Sequence, residues 1–212
     1  MNLLQHPSLN GWPLFYLVAA LTFAAIALGL VITGVSSPEA TVSLIRLSVQ
    51  LASPWVFLAF VARPLVQLHP GRFSKWLLRN RRYLGLSFAA GFAWQGVFIA
   101  VLLALHPDYY WQVLHNTADF VLRMLSYLLL LALTVTSFYP VRRAMRPNTW
   151  RVLHLVGIWY FWAAIWVSYA EGLLSGDTRI IAIVYVMAGL IVLTVRVAAY
   201  LKKRSIPEMK LS

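Results

Sequence analysis

Apolar residues run in long blocks along this chain, broken by short polar gaps. Six blocks, near 13–34, 41–63, 83–105, 118–140, 152–171 and 180–200, are long enough to cross a bilayer as helices, since a crossing takes roughly 20 residues. Turn residues mark the gaps: Ser36-Ser37-Pro38, His69-Pro70-Gly71, His106-Pro107-Asp108, Arg146-Pro147-Asn148 and Ser175-Gly176-Asp177. Asn148 and Asp177 each stand where they would cap the helix that follows. The pattern predicts an all-α, polytopic integral membrane protein, a six-helix bundle forming a single transmembrane domain over residues 1–212. The segment 71–82 (GRFSKWLLRNRR) mixes basic residues with Phe73, Trp76, Leu77 and Leu78. It predicts a short amphipathic helix on the inner membrane face, ahead of the third crossing.

Charge adds an orientation. Of the 212 residues 61% are hydrophobic and only 11% charged, yet the net charge is +12. Such a balance suits nucleic acid in a soluble protein, but here the mean hydropathy is +0.74 and the cations are segregated. Arg63, Arg72, Lys75, Arg79, Arg81 and Arg82 fill one gap, Arg142, Arg143, Arg146 and Arg151 another, and Lys202, Lys203, Arg204 and Lys210 the tail. The alternate gaps hold Glu39, Asp108, Asp119, Glu171 and Asp177, with Arg179 as their only cation. This positive-inside pattern predicts both termini in the cytoplasm, in a bacterial inner (plasma) membrane. Membrane lipid is the expected partner, anionic lipid at the basic loops in particular; nucleic acid is not.

The first block has no Lys or Arg before it and is too long for a signal-peptide core, so it reads as a retained helix. The chain has no cysteine, which excludes disulfides, thiolate catalysis and cysteine-ligated metal centres. No gap is large enough for a flavin- or nucleotide-binding domain, and no glycine-rich nucleotide fingerprint occurs. Any electrons must come from another chain or a quinol.

The run Leu78-Arg79-Asn80-Arg81-Arg82-Tyr83-Leu84-Gly85-Leu86 resembles the start of the third helix in the ferric reductase-like transmembrane family, which includes the membrane haem subunits of methionine sulfoxide reductase systems. Thr136-Ser137-Phe138, followed by a basic gap and Trp150-Arg151-Val152-Leu153-His154, carries the likeness further, over roughly residues 40–200. The resemblance implies haem held between the third and fifth helices, by histidines about fourteen positions apart on the third. Fourteen residues rise about 21 Å and return to nearly the same helix face, which makes two levels. Counted from the motif, the inner level holds Arg81 and His154, and the outer level Gln95 and Val167.

Glutamine is a poor haem ligand and valine is none. The resemblance therefore implies at most a single b-type haem near the cytoplasmic side, on His154, with Arg81 placed to meet a propionate. It implies a membrane electron-transfer subunit, an oxidoreductase component served by a redox partner protein. The same residues admit a haem-free scaffold, assembly or sensor protein of this fold, in which His154 hydrogen-bonds near the membrane interface.

Other intramembrane residues carry two readings as well. Trp159, Trp162 and Trp166 recur at helical spacing, as a cofactor box or as helix packing. Arg46 and Arg123 lie inside the second and fourth blocks, where a charge is costly unless it snorkels, pairs or lines a cavity. Asp119 stands one turn before Arg123, and Glu39 or Glu171 is available to Arg46. Functionally, the two arginines form an outer-leaflet site for an anion or a quinone headgroup, with Gln50 and His115 as partners; structurally, they are anchors. Arg196 reads as a snorkelling anchor. His69, His106 and His115 lack metal-site spacing and receive no catalytic role. Transport draws on the same arginines, without the interrupted helix pairs of many transporters.

Overall fold

The computed structural model describes residues 3–114, 117–176 and 179–205, so His115 and Asp177 lie outside the described residues. Every regular element among them is helical: α1 (Trp12–Thr33), α2 (Pro38–Leu68), α3 (Arg72–Leu105), α4 (Thr117–Val135), α5 (Tyr139–Ala144), α6 (Pro147–Leu174) and α7 (Ile180–Ser205), with short turns at Leu3–Gln5, Pro7–Leu9 and Pro107–Leu114. Five of these, α1, α2, α3, α6 and α7, are long and apolar enough to cross a membrane. The fourth expected crossing is the 19-residue α4.

The helices alternate in direction, which gathers the charges at two ends. At the basic end the Arg82 guanidinium lies over the rings of Trp12, Tyr83 and Phe138, at 5.5, 5.6 and 5.9 Å. That contact joins the start of α1, the start of α3 and the exit from α4. The other, acidic end carries Glu39, Asp108, Asp119 and Glu171. Large apolar side chains such as Leu21, Val31, Leu128, Ile180 and Ile191 face outward, as a surface solvated by lipid tails requires.

The separate amphipathic helix expected over 71–82 does not form. Those residues are the first turns of α3, a single helix of 34 residues. At 1.5 Å per residue it is about 51 Å long, far more than the roughly 30 Å hydrocarbon layer, so its basic turns extend past the apolar section. The N-terminal segment holds them in line. The Trp76 indole N–H donates to the Leu9 carbonyl (2.9 Å). The fully buried Asn80 accepts from Gly11 N–H (2.9 Å) and donates to Asn10 Oδ1 and the Trp76 carbonyl, both at 3.1 Å. Gly11 adopts φ 67°, a conformation that favours glycine, and so turns the chain into α1. Asn148 is not a cap either. It sits inside the first turn of α6, where Pro147 follows Arg146 at the cap position and needs no N–H partner.

Half of the apolar window of α2 is buried within the protein, against 17% for α1, so α2 is the central helix. It contains Pro54 and Pro64. Each proline lacks an N–H and leaves the carbonyl four residues earlier without its helical donor. Those carbonyls belong to Gln50 and Phe60. The Tyr185 hydroxyl of α7 donates to the first (2.6 Å), and the Arg196 guanidinium of α7 donates to the second (3.0 Å). Arg196 also lies over the rings of Phe60 (4.2 Å) and Trp159 (4.7 Å). It turns inward instead of snorkelling, because an unanswered carbonyl and two π faces lie there.

Small residues let neighbouring helices close on one another. A Cβ on Gly189 would overlap the Trp166 ring, and that ring is fixed because its N–H donates to the Val186 carbonyl (3.1 Å). Around Gly85 there is nothing within 4 Å. Gly189→Ala is expected to lower the thermal midpoint in detergent, while Gly85→Ala leaves it unchanged or raises it, since alanine is favoured over glycine within a helix by up to about 1 kcal/mol. Equal responses from the two variants would contradict this packing.

Candidate functional site

The inner-level residues spend their polar atoms on neighbouring helices. His154 projects from the second turn of α6 towards Thr136, at the end of α4, and its Nε2 lies 3.0 Å from Thr136 Oγ1. The Thr136 hydroxyl donates to the Ala132 carbonyl (2.6 Å), so the imidazole is the donor to Thr136. The Trp150 N–H donates to the Thr136 carbonyl (3.0 Å), and its ring lies 4.5 Å from that of His154. Arg142 covers the Trp150 ring at 4.4 Å. The Arg81 Nε donates to the Ala59 carbonyl of α2 (3.0 Å), beside the turn that Pro64 disturbs. Arg81 acts on His154 electrostatically but does not bond to it.

At the outer level Gln95 Oε1 accepts from the Tyr127 hydroxyl of α4 (3.1 Å). Val167 is exposed, whereas Gln95 is half-buried. Between α3 and α6 the rings of Phe88 and Phe92 pack on Phe161, with centroids 5.1 and 5.7 Å away. Haem in that gap needs a free imidazole nitrogen facing the gap and a flat space for the macrocycle. The His154 Nε2 is bonded to Thr136, which leaves only Nδ1 with a lone pair, and the phenylalanine rings occupy the space between α3 and α6, so no flat slot for the macrocycle stands there. Trp162 and Trp166 stack on each other at 5.8 Å and donate to the Gly189 and Val186 carbonyls of α7. Trp162 also stacks on Phe60 at 5.2 Å, and Trp159 meets the same ring edge-on at 5.0 Å. The stripe packs helices together, as the second of its two readings has it.

The acidic end holds a cavity of about 330 Å³ among α2, α3, α4, α6 and α7. Helical periodicity builds its walls: Val42, Ile45, Arg46, Val49 and Gln50 share one face of α2, and Gln95, Ile99 and Leu102 one face of α3. Arg123 enters from α4, Ser168 and Tyr169 from α6, and Arg179 from the chain just before α7. Three guanidinium groups, and no carboxylate, stand among the described lining residues. Neither Glu39 nor Glu171 forms an ion pair with Arg46 among the described residues. Asp119 lies one turn from Arg123, and both act electrostatically on Tyr110, which also lines the cavity. Burial raises the Tyr110 phenol above its ordinary value, with Arg123 opposing and Asp119 adding to the rise, so it enters the cavity neutral.

The structure thus unites Arg46, Arg123 and Gln50, as the sequence suggested, and adds Gln95. Sequence reading missed Arg179 and Tyr169: Arg179 sits in a polar gap and Tyr169 in an aromatic run, and neither stands out alone. A second cavity, about 400 Å³ among the N-terminal segment, α1, α2 and α3, is lined almost wholly by apolar side chains such as Leu14, Leu21 and Trp55. It offers no chemistry. His69 and His106 follow the last residues of α2 and α3 as their C-caps, and no group of three His, Cys, Asp or Glu that could hold a metal ion occurs among the described residues. The chain matches no protein-family model, no curated protein and no solved structure.

Proposed function

We propose that this chain is a six-crossing protein of the bacterial inner membrane, ferric reductase-like in fold, that works without haem as a scaffold or assembly subunit. The observation that carries this reading is the engagement of His154 by Thr136 of α4 (3.0 Å), with phenylalanine rings filling the space between α3 and α6. A histidine whose Nε2 is bonded to Thr136 holds two helices together through the nitrogen that haem iron ordinarily takes. Electron transfer would also need a second relay level, and Gln95 bonds to Tyr127 there.

In this reading α4 is the fourth of six crossings, with Asp119 and Arg123 in its outer turns. The basic end faces the cytoplasm, because short loops rich in Arg and Lys are retained on that side.

Absorbance tests the first claim. Protein purified after haem-replete expression is expected to show no Soret band above its baseline. A band that shifts on reduction and is lost in His154→Ala would overturn the haem-free reading and restore the electron-transfer one. Orientation is open to cysteine labelling, since the chain has no cysteine of its own. Ser175→Cys is expected to react with a membrane-impermeant maleimide in intact cells, and Ser205→Cys only after lysis; the reverse order would invert the topology.

A further inference from the structure

We propose that the apolar cavity on the flank of the bundle seats one acyl chain of an anionic phospholipid, whose phosphate meets Arg72, Lys75 and Arg79 at its mouth. Leu4 and Leu9 of the N-terminal segment, α1 from Leu14 to Thr22, and Phe73 and Trp76 of α3 wall it. Leu17, Leu21 and Phe73 are exposed, so the space opens sideways as a groove, towards lipid. Leu14 to Thr22 spans about 12 Å at 1.5 Å per residue, close to the roughly 15 Å of hydrocarbon in one leaflet. The described walls carry no ionisable group, and a hydrocarbon chain asks for none.

Charge sets this groove apart from the rest of the lipid-facing surface. Arg72, Lys75 and Arg79 recur at i, i+3 and i+7, as one stripe along the turns of α3 that extend past its apolar section. Arg72 and Arg79 stand one turn either side of Trp76, which lines the groove. Arg79 donates to the carbonyl of Leu4, another lining residue, at 3.3 Å and to Asn10 Oδ1 at 2.6 Å. Both bonds use one terminal nitrogen, which leaves Nε and the other terminal nitrogen for an anion. The Trp76 indole holds Leu9 (2.9 Å), so the segment that walls the groove is anchored to the helix that carries the charges. Arg72 and Lys75 are exposed and form no ion pair or hydrogen bond among the described residues. The described carboxylates all lie at the opposite end. Like charges one turn apart on a helix repel, and a phosphate beside them relieves that cost. A zwitterionic lipid brings a cation of its own to the mouth, and a free phosphate leaves the groove unfilled. An anionic phospholipid suits both halves. The site depends on the chain being membrane-embedded and not on the absence of haem, so the lipid and Soret measurements can fail independently.

The test is calorimetric titration of the full chain, purified in a neutral detergent, with dioctanoyl phosphatidylglycerol, dioctanoyl phosphatidylcholine and glycerol 3-phosphate. Saturable binding of the phosphatidylglycerol is expected, with the phosphatidylcholine much weaker and no binding of glycerol 3-phosphate. The double variant Arg72→Gln, Lys75→Gln, at two exposed positions, should weaken binding about 10-fold or more. Arg143→Gln with Lys202→Gln removes two charges from the same end but away from the groove, and should change binding less than about 2-fold. Leu17→Trp, which narrows the groove, should weaken it several-fold. Equal affinity for the two lipids, equal losses from the two double variants, or indifference to Leu17→Trp would overturn the proposal. So would a dimer that Leu17→Trp disrupts and that binds no lipid, since a second copy would then fill the groove.

Discussion

Two backbone carbonyls in α2, those of Gln50 and Phe60, set the terms for this bundle. Pro54 and Pro64 remove their helical donors. In water such a carbonyl finds a solvent donor; in hydrocarbon it must find one within the protein, since an unanswered polar group there costs several kcal/mol. Both donors come from α7, Tyr185 for the first and Arg196 for the second. The two helices run parallel. The donors stand eleven residues apart and the acceptors ten, so meeting both fixes the register of α7 along α2.

Much of the remaining architecture follows from that pairing. With α7 held against α2, the indoles of Trp162 and Trp166 reach carbonyls of α7 from α6, and Trp162 stacks on Phe60. Arg196, drawn inward by the Phe60 carbonyl, lies between the rings of Phe60 and Trp159. The basic end is thereby closed by aromatic rings and committed cations, while the acidic end keeps an open cavity. Arg46, Arg123 and Arg179 line that space. A third tie, His154 to Thr136, joins α6 to α4. His154, Arg81 and Gln95 all direct polar atoms at neighbouring helices.

How much of this could be read from the sequence depends on the range of the interaction. The long apolar blocks and the alternation of charge are local or periodic signals, and the helices appear where those signals place them. Short-range competition already defeats local reading at Asn148: its cap chemistry suits a helix start, but Pro147 takes the first helical position and moves the cap back to Arg146. The amphipathic pattern of 71–82 is real, yet it cannot show that Asn80 and Trp76 are held by residues 9–11 and so kept in line with α3. Arg196 is a further case. Its position near a helix end suggests snorkelling, and only the proline 132 residues earlier, with the carbonyl it frees, explains why the side chain turns inward. The cavity is half legible: Arg46 and Arg123 stand out as charges within apolar blocks, whereas Arg179 lies in a polar gap and Tyr169 in an aromatic run, and only the fold brings them to the same space.

The most direct measurement of the central claim is a double-mutant cycle on Pro54 and Tyr185, read as unfolding free energy in detergent. Tyr185→Phe alone leaves the Gln50 carbonyl unanswered and should cost about 3 kcal/mol, the upper end for a buried acceptor that loses its donor. In a Pro54→Ala background the new backbone N–H takes over that carbonyl, so the cost of Tyr185→Phe should fall close to zero. The same cost in both backgrounds would contradict the account, because the tyrosine would then stabilise the bundle for some reason other than the carbonyl that the proline leaves behind.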